Sequence, residues 1–115
     1  MAQSLHHHKT TSFLAEGTEL EGLLEVKGGI RIDGKVKGEI KSESVIYLGD
    51  KAVVEANITA EGVISSGKIV GDVKTGQQVM LSVPGHIEGA IETRELILEK
   101  GVYFDGTCTL LDAKK

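Results

Sequence analysis

Few residues in this chain are of a type and spacing that could do chemistry. His86 follows the Pro84-Gly85 turn and is the one histidine outside the N-terminal segment. A lone imidazole can serve as the general base of an acyl transfer. A turn histidine with no patterned acid or nucleophile beside it is more commonly a solvated surface group. His6-His7-His8 could bind a metal, but three consecutive histidines in a polar stretch read as a tail or an expression remnant. Gly67-Lys68 opens like a phosphate-binding loop, yet Ile69 stands where that loop needs Ser or Thr, and the upstream glycine is missing. Cys108 is the single cysteine, so it has no partner for an intrachain disulfide, which fits a reducing compartment. No catalytic residue, metal ligand or cofactor is therefore expected, and the chain does not read as an enzyme.

Composition narrows the classes further. The 115 residues suit one domain, and 40% of them are apolar, too many for a disordered chain. No run approaches the ~20 apolar residues of a membrane-spanning helix. The N-terminal residues lack an apolar secretory core, so a cytoplasmic protein is expected. The net charge is -4, with acids and bases interspersed, and aromatic residues are 3% of the chain. That leaves neither the basic footprint nor the stacking platforms of a nucleic-acid binder.

The fifteen glycines are spaced along the chain, and their spacing exposes a repeat. An apolar-any-small-any-apolar pattern recurs six times: Leu20 to Leu24, Val36 to Ile40, Val54 to Ile58, Ile69 to Val73, Ile87 to Ile91 and Phe104 to Cys108. The small residues are Gly22, Gly38, Ala56, Gly71, Gly89 and Gly106, separated by 16, 18, 15, 18 and 17 residues. Six positions before each unit lies another apolar residue: Leu14, Ile30, Leu48, Val63, Leu81 and Leu98. Turn signals such as Asp33-Gly34, Gly49-Asp50 and Pro84-Gly85 fall between.

Alternation at spacing two means strands. Strands of about five residues cannot bury a face alone. A period near 17 with frequent turns predicts a chain that coils under itself, each strand pairing in parallel with its equivalent in the next coil. The expected fold is thus all-β, a right-handed parallel β-helix of about six coils. The small column is expected to point inward, where a narrow core has little room. A β-sandwich is the alternative, but it has no need of equivalent columns at one period. The β-helix domain is expected over residues 12–110, with tails at 1–11 and 111–115.

A second ladder at intervals of six, Ile40, Ile46, Ala52, Ile58, Ile64 and Val70, resembles the hexapeptide repeat of left-handed acyltransferases. It breaks at Gly76 and restarts out of phase, and the coil length is not uniform. Two alternatives to a filament protein therefore stand: a hexapeptide-type acyltransferase and a β-helix binding module that does not polymerise.

The phrases Glu16-Gly17-Thr18-Glu19-Leu20-Glu21-Gly22, Ile30-Arg31-Ile32-Asp33-Gly34-Lys35-Val36-Lys37-Gly38-Glu39-Ile40 and Ile69-Val70-Gly71-Asp72-Val73 resemble the bactofilins, bacterial cytoskeletal proteins. The resemblance runs from Ser12 to Leu110. It implies a right-handed β-helix that polymerises without nucleotide and scaffolds cell-wall or cell-shape machinery. The partners it implies are further copies of itself, cell-wall-modifying enzymes and the inner face of the cytoplasmic membrane.

Polymerisation is also expected on physical grounds. A β-helix has two open ends, each offering unpaired backbone groups and a slice of core. Monomeric solenoids cover these ends with capping repeats, and the sequence has no capping helix. The first coil carries Phe13 and Leu14; the last carries Val102, Phe104 and Leu110. These five are the expected polymerisation interface, with Cys108 as a buried small hydrophobe in the column of Ile40, Ile58 and Ile91.

Overall fold

The computed structural model describes residues 11–111; the histidine run and Lys114-Lys115 lie outside them. All eleven elements are strands: β1 (Thr11–Leu14), β2 (Glu19–Val26), β3 (Gly29–Ile32), β4 (Lys35–Ser42), β5 (Val45–Leu48), β6 (Val53–Ser65), β7 (Lys68–Val70), β8 (Val73–Leu81), β9 (His86–Thr93), β10 (Glu95–Leu98) and β11 (Tyr103–Leu110). Every pairing between them is parallel. Each strand lies on the equivalent segment one coil on, as in β2 on β4 and β4 on β6, and the long strand β6, which runs over two faces, pairs with β4 and β5 on one side and β7 and β8 on the other. The result is the parallel β-helix that the repeat predicted, with three faces and six coils among the described residues.

Inward side chains stack in columns that run from coil to coil. On the first face Ile30, Ile46, Val63 and Val79 stack in one column, and Ile32, Leu48, Ser65 and Leu81 in the next. On the second face Val36, Val54, Ile69 and Ile87 stack. On the third Ile40, Ile58, Val73 and Ile91 stack. These side chains are buried, most with no accessible surface at all. Each buried Ile or Val contributes about 1.5–3 kcal/mol, so the columns are the main source of stability. The buried hydroxyls among them are satisfied: Ser65 Oγ accepts the Gly67 N–H at 3.1 Å, and Thr75 Oγ1 donates to Thr93 Oγ1 at 2.6 Å.

The small column does not lie where the sequence suggested. Gly22, Gly38 and Gly106 are exposed and Gly71 and Gly89 half-buried. All five have φ between 122° and 150°, a region that L side chains rarely adopt. They form the corner between the second and third faces. The backbone turns there, so Val36 and Ile40, four residues apart, point into the core from two different faces. A Cβ on Gly38 would overlap the carbonyl oxygen of Gly22 one coil below, and one on Gly89 that of Gly71. The requirement is set by the backbone, not by the width of the core. Ala56, the one exception, is buried.

The apolar column six residues upstream also needs correction. Leu14 pairs with Ile32 rather than Ile30, and Leu48 with Ser65 rather than Val63. The turn between the first and second faces has two lengths. Turns 15–18, 49–52, 82–85 and 99–102 have four residues, and each is closed by a hydrogen bond from its last N–H to its first carbonyl, 2.7–3.2 Å long. Turns 33–34 and 66–67 have two residues. In them Gly34 and Gly67 pass close under the carbonyl oxygens of the longer turn one coil earlier. A fixed offset of six therefore picks the second inward column where the turn is long and the first where it is short. The hexapeptide ladder fails for a related reason: Val63 and Ile69 are buried, whereas Ile64 and Val70 are only half-buried and fall on the outward phase.

Candidate assembly interfaces at the two ends

The first coil is β1 and β2; the last is β10 and β11. Among the described residues β1 and β2 pair on one side alone, with β3 and β4, and β10 and β11 on one side alone, with β8 and β9. Each end thus exposes a row of backbone N–H and C=O groups at strand spacing, the template on which another strand adds.

Side chains tell the same story as the backbone. At the N-terminal end Leu14, Leu20, Leu24 and Val26 continue the inward columns but are only partly buried against the core. At the C-terminal end Leu96, Val102 and Phe104 do the same. Leu98 is 45% and Leu110 49% exposed, although Leu81 and Thr93, their equivalents one coil inward, are 1% and 0% exposed. The inward columns simply run out of coils to cover them.

Of the five residues expected at the interface, Leu14, Phe104 and Leu110 stand in inward columns. Val102 occupies the last turn and packs on the core. Phe13 is different: it pairs with Arg31 on the outer surface of the first face and is 58% exposed sideways. Leu20, Leu24, Leu96 and Leu98 were not among the five expected residues, although Leu20, Leu24 and Leu98 stood in the repeat's apolar columns. Cys108 keeps the expected column, in register with Ile91, but is exposed, because β11 is the last described strand on its face. Its partial desolvation raises the thiol pKa, which keeps it protonated and weakly nucleophilic at neutral pH.

Charge distinguishes the ends from the body. Along the body, outward charges alternate between coils: Glu21 lies in register with Lys37, and Lys37 Nζ is 3.8 Å from Glu55 Oε1. At the open ends β2 presents Glu19, Glu21 and Glu25, while β10 and β11 present Glu95 and Asp105. Both edges are acidic.

His86, the one candidate base, sits on the outer wall. Its ring stacks on Tyr103 one coil on, with centroids 4.4 Å apart, and its Nε2 lies 2.6 Å from Glu88 Oε2. It is engaged in cross-coil packing. Among the described residues no group of His, Cys, Asp and Glu could hold a metal ion, and no helix is long and apolar enough to cross a membrane.

Comparisons with known proteins agree on one family. The family model described as "Bactofilin: Polymer-forming cytoskeletal" matches residues 12–109. Bactofilin BacO of Myxococcus xanthus (strain DK1622) is 26% identical over 87 residues, 76% of this chain and 69% of BacO. Bactofilin BacP of the same organism is 26% identical over 95 residues, 83% of this chain, which spans 40% of BacP's length. Among solved structures, the cytoskeletal bactofilin BacA, determined by solid-state NMR, superimposes with a TM-score of 0.77 at 31% identity, covering 85% of this chain and 93% of that one.

Proposed function

This chain belongs to the bactofilin family of polymer-forming cytoskeletal proteins, and we propose that it assembles end to end, without nucleotide, into filaments that scaffold cell-shape or cell-wall machinery. The observation that carries this reading is the state of the two terminal coils. Both have unpaired strand edges, and both leave unfinished the same columns that are closed everywhere else. A second copy stacked on either end supplies the missing strand and covers Leu14, Leu20 and Leu24, or Leu98, Phe104 and Leu110. The absence of a phosphate-binding motif in the sequence supports assembly by burial alone. Cell-wall enzymes and the inner membrane surface are the partners that the family resemblance favours.

Phe104→Arg tests the proposal. The substitution puts an unpaired charge into the junction at a cost of several kcal/mol, while in the free chain the guanidinium can reach water. The expected result is native circular dichroism and no filaments by light scattering or negative-stain microscopy. Cys108 supplies a second reading: its labelling by maleimide should be slow in wild-type filaments and fast in the variant. Filaments that persist in the variant, with Cys108 equally protected, would exclude the C-terminal coil as a junction.

A further inference from the structure

The corner between the first and second faces is uneven, and the end-to-end proposal makes no use of it. Turns 15–18, 49–52 and 82–85 have four residues and stand out, whereas turns 33–34 and 66–67, between them, have two. Gly34 and Gly67 are buried, tucked under the carbonyl oxygens of the longer turn before. Two notches result. One, of about 130 Å³, opens over Gly34 between Glu16-Gly17-Thr18 and Lys51. The other, of about 400 Å³, lies over Ser66 between Gly49-Asp50 and Ser82-Val83-Pro84, and Tyr47 extends it onto the first face.

The two notches differ in chemistry. Tyr47 and Val83 are each 44% exposed, and with Pro84 and Ile64 they give the larger notch an apolar wall. Its Ser66 and Ser82 hydroxyls supply donors. The smaller notch is lined by charge, with Glu16, Glu19, Lys35 and Lys51 around it. Asp33 is also there, but it is held by Arg31, whose Nε lies 3.0 Å from its Oδ2. With Asp50 on the turn between the notches, the remaining acids outnumber the lysines.

We infer that this corner binds a proline-rich segment of a partner protein in the polyproline II conformation, with a basic residue three positions from a proline. Spacing selects the conformation. The short turns lie two coils apart, so the notch floors are separated by ~9.6 Å, twice the strand separation. A polyproline II helix returns to the same face every three residues, a rise of ~9.3 Å. An extended strand repeats its face at ~6.8 Å and fits no such pair of notches. An α-helix, ~10 Å or more across with its side chains, is too wide to sink between the long turns. Chemistry selects the side chains. A proline ring packs on Tyr47 and Pro84, the way aromatic-lined grooves take such segments. The serine hydroxyls meet carbonyls that this conformation leaves without internal hydrogen bonds. Three residues away, a lysine or arginine enters the smaller notch, where Glu16, Glu19 and Asp50 favour a cation. The site lies within one chain and clear of the C-terminal junction, so it does not depend on polymerisation. Along a filament it recurs with every subunit, and a partner with several such segments binds by avidity.

A fluorescein-labelled Pro-Pro-Pro-Arg-Pro-Pro-Pro peptide, which has a proline three positions to either side of its arginine, serves as the probe in fluorescence anisotropy. It should bind the wild-type chain saturably with a Kd of about 0.1–1 mM, as suits a contact well below ~1,200 Å². The Phe104→Arg variant should bind it equally well, whether or not filaments form. Tyr47→Ala should weaken binding about tenfold, the scale of losing an aromatic anchor. Glutamate in place of the peptide's arginine should weaken it about threefold, the scale of an exposed ion pair. Replacing Ser66-Gly67 by the four residues of turn 49–52 lengthens the short turn and fills the larger notch; native circular dichroism and loss of binding are expected. Binding that survives this exchange overturns the inference. If the exchanged turn prevents folding, Tyr47→Ala decides, and an unchanged affinity there overturns it. So does equal binding of a peptide in which glycines replace the prolines, or of a basic amphipathic helical peptide. Tighter binding of the glutamate peptide, or no saturable binding below ~10 mM, also overturns it.

Discussion

Gly89 shows what the repeat demands of a single residue. It holds φ at 142° at the corner between two faces, and a side chain there would meet the carbonyl of Gly71. Gly89→Ala is expected to cost about 3 kcal/mol or more, from backbone strain and steric overlap together. Urea denaturation would measure it, and a loss under 1 kcal/mol would contradict the corner account. Gly22, in the first coil, also has a positive φ, 126°, but nothing within 4 Å of a built Cβ. Gly22→Ala should therefore cost less in the free chain. The sequence marks this column plainly, as glycine in five coils of six, but not its cause. An inward position between two large residues and a left-handed corner both select glycine. The exposed state of Cys108 was hidden for another reason: column membership is read from neighbours on both sides, and the last coil has one.

Elements fix which residues share a face, and here turn length was the variable the sequence concealed. The runs through each unit, from Val36 to Ile40 or Ile87 to Ile91, are constant in length and were legible from apolar spacing. Irregular spacing is absorbed largely at the corners: turns of four or two residues, and the bulge where the β6–β8 register shifts between Ala60 and Gly62. No residue type separates a four-residue from a two-residue turn, since Gly34, Gly67 and Gly85 occur in both kinds. The edge strands carry a prediction of their own. Stacking β2 or β11 on another edge brings carboxylates such as Glu19, Glu21 and Asp105 near one another, without the lysines that separate them in the body. Like charges at strand spacing cost up to ~1 kcal/mol each. Assembly should therefore quicken as salt is raised from 0.01 M to 0.5 M, as the screening length shrinks from about 30 Å to a few ångströms. Light scattering that weakens with salt would mean that an attractive pair, not hydrophobic contact, governs the junction.

At the scale of the molecule, each coil is stabilised by its neighbours, so the two terminal coils are the least supported. Stacking copies converts terminal coils into internal ones and links stability to concentration. The thermal midpoint of the wild-type chain is expected to rise with protein concentration, while that of Phe104→Arg stays constant. Differential scanning calorimetry over a hundredfold concentration range would decide. A midpoint that does not move in the wild type would mean the ends are already satisfied within one chain.

The parallel register between coils has a mechanical side. The backbone hydrogen bonds that join β2 to β4, β4 to β6 and β9 to β11 run from coil to coil, along the direction in which the coils stack. Tension applied along that direction loads whole rows of these bonds together, at the three faces of the coil. A bending force must stretch one face while compressing the other two. Such a rod resists flexing well, and under a pull it parts between coils, first at whichever boundary has the fewest finished columns.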